Sequence, residues 1–203
     1  MKPKYPTYGV WEKWLKVEGG CPLWAEKLTI WEERWGVADA TFFVLNYLKI
    51  CYNLSMRVEI DQSGKLEETA RHTFIASSNN KHFVIKVSSQ NKKKLQKHFR
   101  NISKPRMYVY AVFASIVSIL IKKNKHADLI VIDREYLGKD TIIKGIIQHQ
   151  YPAVSFDTVR FDHIGKKSSA HYFAYGAAIK EQKVNLELGF DDIIKLLKKT
   201  GNA

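Results

Sequence analysis

The chain has 203 residues, of which 45% are hydrophobic and 12% aromatic, and it carries a formal net charge of +13. This composition excludes a disordered polypeptide, and the length suits one well-buried domain with at most a small additional unit. The two cysteines, Cys21 and Cys51, provide neither a disulfide framework nor metal-ligand spacing. Because the N-terminal residues also lack the apolar stretch of a signal peptide, we expect a reducing, cytoplasmic environment.

The first 54 residues differ from the rest in composition. They contain all five tryptophans, and Trp24, Leu28, Trp31 and Trp35 recur at the spacing of one helix face. Packing between helices is the favoured interpretation of this stripe; a base-stacking platform and a contact surface for another protein are the alternatives. We therefore predict a Trp-rich helical extension over residues 1–54 and a main domain over residues 55–203.

From residue 55 onward, strand and helix patterns alternate. Five segments are predicted to be strands, the first three as an antiparallel meander: 56–61, 71–77, 82–88, 129–133 and 158–161. The fourth is apolar on both faces, which predicts an interior strand covered by helices. Four segments are predicted to be helices: 105–121, 141–149, 168–179 and 190–200. Asp140 is placed to cap the second of these helices.

The run Met107–Ile121 has 15 residues and no charged side chain. A helix that spans a membrane needs about 20 apolar residues. We therefore predict a helix buried against a sheet and no association with a membrane.

The positive charge is concentrated in one part of the sequence. The segment Lys81–Lys125 contains twelve Lys and Arg residues and no Asp or Glu. Such a density attracts polyanions, because each neutralised phosphate releases condensed counterions. The alternative is a solvated lysine-rich surface, although such surfaces usually contain Glu as well. We expect a nucleic acid as partner, bound by Lys92, Lys93, Lys94, Lys97, Arg100, Lys104, Arg106, Lys166 and Lys167.

Carboxylates lie at the ends of two predicted strands. Asp61 ends the first strand and Asp133 ends the fourth, and Glu135 projects to the same side as Asp133 if that strand continues. His171 lies near the start of the predicted helix 168–179. Two carboxylates on neighbouring strands, with a polar side chain from a packed helix, are suited to a divalent cation, which takes oxygen ligands and keeps several waters.

The predicted order β-β-β-α-β-α-β-α and three short motifs resemble the ribonuclease H-like superfamily. The segment V-E-I-D-Q-S-G at 58–64 is similar to the "D-E-S-G" first-strand motif of a large, poorly characterised family of that fold. L-I-V-I-D-R-E at 129–135 resembles its fourth-strand acid, and A-H-Y-F-A-Y-G-A-A-I at 170–179 resembles its final helix, with His171 where Asp is usual. The resemblance covers roughly residues 55–182 and implies a mixed five-stranded sheet flanked by helices.

The resemblance also implies a nuclease that uses Mg²⁺ or Mn²⁺ to hydrolyse phosphodiester bonds in DNA or structured RNA. Asp61 and Asp133 would be metal ligands, and His171 would ligate or contact a second ion or act on the leaving group. The ions would orient the attacking water and stabilise the leaving oxygen. The alternative is a non-catalytic nucleic-acid-binding protein of the same fold.

One ligand of ribonuclease H proper has no counterpart in this sequence. That enzyme takes a glutamate from its first helix, whereas the predicted helix 105–121 contains no acid. Glu135 is the preferred substitute and Glu59 the second. Asp157 and Asp162, on either side of the fifth strand, are weaker candidates.

Overall fold

A computed structural model describes residues 56–78 and 82–198 of the chain. These residues belong to the second of the two units into which the chain divides, Met56–Ala203. The predicted Trp-rich extension over residues 1–54 lies outside the described residues.

The described residues form strands and helices that alternate along the chain. The strands are β1 (Arg57–Ser63), β2 (Thr73–Ser78), β3 (Phe83–Val87), β4 (Leu129–Asp133), β5 (Val159–Asp162) and β6 (Leu186–Leu188). The α-helices are α1 (Ser89–Asn101), α2 (Tyr108–Lys123), α3 (Asp140–Gln150), α4 (Ser169–Ala178) and α5 (Phe190–Lys198). Short 3-10 helices at Pro105–Met107 and Phe156–Thr158 precede α2 and β5.

The strands form one mixed sheet in the order β5-β4-β1-β2-β3-β6. β2 is antiparallel to β1 and β3, whereas the pairs β1/β4, β4/β5 and β3/β6 are parallel. The prediction of an α/β fold with a mixed sheet between helices is confirmed, and β4 is an interior strand as its apolar faces predicted. The predicted number of five strands is wrong, because β6 adds a sixth beside β3.

The two faces of the sheet have different partners. Val58 and Ile60 of β1 point into the main core, which α2, α3 and α5 complete. The side chain of Asp61 therefore lies on the opposite face, where α4 packs on β1 and β2. The buried side of α4 consists of Ala170, Ala174 and Ala177. Because these side chains are small, the helix lies close to the sheet.

The apolar helix predicted from residue 105 onward is a core helix. By length and composition Pro105–Lys123 is long enough to cross a membrane, but 61% of its apolar window is buried inside the protein. The hydroxyls of Ser115 and Ser118 donate to the carbonyls of Ala111 and Ala114, each at 2.8 Å, so these two buried hydroxyls are satisfied within the helix.

Two local features differ from the sequence predictions. The basic segment forms the helix α1, which was not predicted; Ser88 caps it, and Leu95 and Phe99 bury its apolar side. Asp140 does not cap α3, so that prediction is wrong. It is the first residue of the helix, and its carboxylate pairs with Arg134 at 3.3 Å.

Candidate metal centre

Three of the predicted ligands lie together at one edge of the sheet. In the parallel pair β1/β4, Ile60 lies opposite Ile132, so Asp61 and Asp133 follow on the same face at the carboxyl ends of both strands. A turn after β4, in which the Glu135 amide donates to the Asp133 carbonyl, returns Glu135 to this place. One carboxylate oxygen from each of the three residues lies within 4.8 Å of the other two.

Backbone amides fix the orientation of the two aspartates. Asp61 is 5% exposed, and its Oδ1 accepts a hydrogen bond of 2.6 Å from the amide of Gln62. Oδ1 of Asp133 accepts a bond of 2.7 Å from the amide of Ile164. These contacts hold the carboxylates while leaving lone pairs on their oxygens for a further partner.

The imidazole of His171 joins the same group from the first turn of α4. Its Nδ1 lies 2.8 Å from Oδ2 of Asp61. A histidine that binds a metal ion generally donates its other ring N–H to a carboxylate or carbonyl, which fixes the tautomer and the ring orientation. An ionised carboxylate can only accept, so Nδ1 is the ring nitrogen that donates to Asp61, and this bond fixes the orientation of the imidazole.

Glu59 positions the start of α4 and is engaged away from the other acids. The Ser168 hydroxyl donates to Oε2 of Glu59 at 2.6 Å and accepts from the amide of Ala170 at 3.1 Å, which makes Ser168 the N-cap of α4. Arg57 pairs with the other oxygen of Glu59 at 2.9 Å. Glu59 was predicted as a possible replacement ligand, but both of its oxygens hold other residues.

The carboxylates at this edge are poorly compensated by positive charge. Within residues 56–78 and 82–198, no Lys or Arg forms an ion pair with Asp61, Asp133 or Glu135. The basic groups paired with these acids are two imidazoles: Nδ1 of His171 lies 2.8 Å from Asp61, and Nδ1 of His163 lies 3.9 Å from Asp133. Burial raises the pKa of Asp61 above its ordinary value, although the hydrogen bonds from Gln62 and His171 oppose the shift. Burial also raises the pKa of Glu135, and the charges of Asp133 and Asp61 add to that shift.

These donors suit a divalent cation that prefers oxygen. Clustered carboxylates with little opposing charge are costly to bury, and a cation between them removes that cost. Opposite ligands of one Mg²⁺ are about 4.2 Å apart, so the longest separation in this group needs only a small side-chain rotation to close on one ion. The three carboxylates fit Mg²⁺ or Mn²⁺ chemistry. His171, which was predicted as a further ligand, is not part of the cluster of ligand atoms and contacts it through Asp61.

A polar chain beside the acids was not foreseen from the sequence. Nε2 of Gln62 donates to the hydroxyl of Tyr136, which donates to Oε2 of Glu67, each at 3.4 Å. Glu67 comes from the connection between β1 and β2, and its charge contributes to the raised pKa of Glu135. The Gln62 position was part of the first motif, but nothing in the sequence linked it to Tyr136.

Two weaker candidates lie outside the group of three carboxylates. Asp162 is opposite Asp133 in the β4/β5 register, but it is exposed, and its Oδ1 accepts from the amide of His163 at 2.8 Å. Asp157 is exposed in the 3-10 helix before β5. Neither belongs to the cluster of oxygens at the ends of β1 and β4.

All of the cations predicted to form the basic surface are exposed except Lys92. Lys92 is 0% exposed, and its Nζ donates to the carbonyls of Lys65 and Glu68 and to the Thr73 hydroxyl, each at 2.8 Å. Its predicted role as a phosphate contact is therefore wrong. The other predicted cations are exposed: Lys93, Lys94, Lys97, Arg100, Lys104, Arg106, Lys166 and Lys167.

The exposed cations lie in three places along the chain: on α1, between α1 and α2 (Lys104 and Arg106), and before α4. The apolar side of α1 belongs to the core on the α2 face of the sheet, so the cations of α1 lie on the face away from α4. Lys166 and Lys167 immediately precede Ser168, the N-cap of α4. They are the predicted cations on the same face as Asp61 and His171.

Comparison of the chain with protein-family models, with curated proteins and with solved structures finds no match. Function is therefore inferred from the chain's own residues, foremost the four side chains that meet where β1 and β4 end and α4 begins.

Proposed function

We propose that the protein is a divalent-metal-dependent nuclease of ribonuclease H-like fold that hydrolyses phosphodiester bonds in DNA or structured RNA. The observation that carries this proposal is the cluster of Asp61, Asp133 and Glu135, whose oxygens lie within 4.8 Å of one another. It lacks a Lys or Arg ion pair within the described part of the chain. Clustered carboxylates without opposing charge destabilise the folded protein, and a bound cation would offset that cost.

The order of the elements supports the fold part of the proposal. The series β-β-β-α-β-α-β-α on which the resemblance was based is present from β1 to α4, with α1 as an addition before α2. The final segments β6 and α5 extend this arrangement at its C-terminal end. The motif residues Asp61, Asp133 and His171 lie on β1, β4 and α4, the elements to which the resemblance assigned them.

The chain's own residues divide the work of hydrolysis between them. Asp61, Asp133 and Glu135 would hold the ion, which when bound supplies an activated water and neutralises charge on the leaving oxygen. With Asp61 accepting a hydrogen bond from Nδ1 of His171, Nε2 is the ring nitrogen that would accept or return a proton in the site. The Gln62 and Ile164 amides keep the aspartates in place during the reaction.

The surface around the acids favours a polyanionic substrate. Lys166 and Lys167 are exposed beside the N-cap of α4, and Lys65 is near enough to Glu135 to offset part of its raised pKa. These cations attract phosphate toward an edge where the carboxylates alone would repel it. A cation bound by the acids removes the remaining repulsion.

The proposal is tested by cleavage of labelled DNA and structured RNA in Mg²⁺ or Mn²⁺. Loss of an outer partner of a metal ligand costs about 10–100-fold, so loss of a ligand should cost more. We expect Asp61→Asn and Asp133→Asn each to reduce the cleavage rate more than about 100-fold. Asp157→Asn, which removes an exposed acid outside the cluster, should leave the rate unchanged.

Cleavage that persists in EDTA, or that survives Asp61→Asn unchanged, would overturn the proposal. Tight binding of nucleic acid with no cleavage in either metal would instead favour the non-catalytic nucleic-acid-binding protein.

A further inference from the structure

The helix α4 has an exposed aromatic face next to the candidate metal centre. Tyr172 is 55% exposed, Tyr175 52% and Ile179, which follows the helix, 44%. At 100° per residue these three side chains span about 60° of the helix circumference, and about 100° when His171 is included. The opposite side of α4 is the alanine surface that packs on the sheet. The exposed face formed by Tyr172, Tyr175 and Ile179 therefore takes no part in packing α4 on the sheet.

Tyr175 connects this face to the acids. Its ring is parallel to the imidazole of His171, with an interplanar angle of 3° and a distance of 6.2 Å between ring centroids. His171 in turn contacts Asp61 at 2.8 Å. A flat group that stacks on Tyr175 is therefore separated from the carboxylate cluster by the side chain of His171 alone.

The charges around α4 indicate what kind of flat group this face accommodates. The helix contains no Asp, Glu, Lys or Arg, since its sequence is S-A-H-Y-F-A-Y-G-A-A. Exposed lysines lie at both ends: Lys166 and Lys167 precede it, and Lys180 and Lys183 follow, with Glu181 between the latter two. An uncharged helix about 15 Å long, with two exposed tyrosines about 4.5 Å apart along its axis and lysines beyond both ends, matches bases that stack on the tyrosines while phosphates contact the lysines.

We propose that this face of α4 is a stacking platform for unpaired nucleotides, so that the protein takes a single-stranded segment of nucleic acid as its substrate. The inference rests on the proposed nuclease function for its placement beside the scissile phosphate, although binding by the platform requires no metal. A base inside a duplex has both faces covered by its neighbours, so Tyr172 and Tyr175 select an unpaired strand. Every base has a π-face, so the platform is tolerant of sequence.

The test measures binding without cleavage. Fluorescence anisotropy in EDTA gives the Kd for a labelled single-stranded oligonucleotide and for the matching duplex, at several salt concentrations. We expect tighter binding of the single strand, and Tyr172→Ala and Tyr175→Ala each to weaken it about tenfold. Tyr175→Phe, which keeps the ring, should bind like the wild type. Ile142→Ala, which removes a side chain of 38% exposure on α3, is the matched control and should have no effect.

Salt dependence separates stacking from charge. The tyrosine variants should leave the slope of log Kd against log salt unchanged. Lys166→Ala and Lys167→Ala should each reduce that slope by about 0.7 if they neutralise one phosphate of a single strand.

The inference is overturned if the tyrosine variants bind the single strand like the wild type, or if they lose duplex binding equally. It is also overturned if sedimentation shows a dimer for the wild type and monomers for the tyrosine variants, because this face of α4 would then join two copies of the chain. If cleavage depends on Asp61 but not on Tyr175, the stacking proposal is wrong and the nuclease proposal stands. If binding depends on the tyrosines but no cleavage occurs, the nuclease proposal is wrong and the stacking proposal stands.

Discussion

The two faces of the central sheet bury charged side chains in opposite ways. On the α2 face, Lys92 is fully buried, and its ammonium donates three hydrogen bonds of 2.8 Å to oxygens of the β1–β2 connection and of Thr73. On the α4 face, Asp61, Asp133 and Glu135 lie within 4.8 Å of one another, and no Lys or Arg of the described residues pairs with them. Hydrogen bonds within the protein compensate the ammonium of Lys92, whereas no Lys or Arg of the described residues compensates the three carboxylates.

This difference supports the interpretation of Lys92 as a structural charge and of the three acids as the proposed metal site. A buried charge is tolerated when hydrogen bonds replace its hydration, and Lys92 meets that condition. Even so, burial lowers the pKa of Lys92 to about 8. The acids have backbone hydrogen bonds but little opposing charge, so the fold retains them at a cost to stability. A cost of this kind is explained by a ligand that removes it.

The largest expected effect on stability concerns the satisfied charge. Lys92→Met leaves three oxygen acceptors without their donor, and we expect the free energy of unfolding to fall by about 2–4 kcal/mol in urea denaturation at pH 7. Lys93→Met, one residue away and exposed, should change it by less than about 0.5 kcal/mol. Equal stability of the two variants would show that Lys92 is not the anchor of the β1–β2 connection.

The difference in unfolding free energy between the wild type and Lys92→Met should depend on pH. The pKa of Lys92 is about 8 when folded and 10.5 ordinarily, so the unfolded chain holds this proton more tightly between those values. Wild-type stability relative to Lys92→Met should therefore rise as the pH increases from 8 toward 10.5.

An intermediate effect is expected at the start of α4. Ser168→Ala removes the N-cap and the hydrogen bond to Glu59, which should cost about 1 kcal/mol of stability. Because the first turn of α4 holds His171 against Asp61, cleavage should also fall about 10–100-fold. Ser169→Ala, the adjacent exposed serine, is the control. If both variants retain full activity, the position of His171 does not depend on this cap.

The smallest expected effect concerns the charge of the acids without metal. The pKa of Asp61 is raised in the folded protein, so the folded state binds this proton more tightly than the unfolded chain does. In EDTA, this contribution to stability is present below the ordinary pKa of 3.8 and is lost as the pH rises through the folded value. Asp61→Asn, which cannot ionise, should therefore gain stability relative to wild type between pH 4 and pH 7.5, measured as urea midpoints. A constant difference across this range would contradict the account.

Sequence reasoning located the site better than it located its surroundings. Asp61 and Asp133 were found because each lies at the end of an apolar strand segment, and the period of two in β1 fixed the face on which Asp61 lies. Glu135 was predicted on the side of Asp133 on the condition that the strand continued; the strand instead ends at Asp133, and a turn brings Glu135 to the same place. The β1/β4 register, which brings these residues together, is a tertiary property and was reached only through the resemblance.

Other features were beyond sequence reasoning for identifiable physical reasons. The strand β6 has three residues and exists through its pairing with β3, so it has no periodicity of its own. The helix α1 carries only Leu95 and Phe99 as deeply buried apolar residues, and its basic composition concealed them. The burial of Lys92 depends on carbonyls that lie 24 and 27 residues earlier in the chain. No local pattern reveals such a partner.

The central claim, that the uncompensated acids await a divalent cation, is tested most directly by the unfolding free energy with and without Mn²⁺. A ligand present at 100 times its Kd stabilises the folded state by about 2.7 kcal/mol. The account predicts a gain of this size for the wild type in saturating Mn²⁺ and none for the Asp61→Asn, Asp133→Asn double variant. A wild type that gains nothing, or a double variant that gains as much as the wild type, would contradict it.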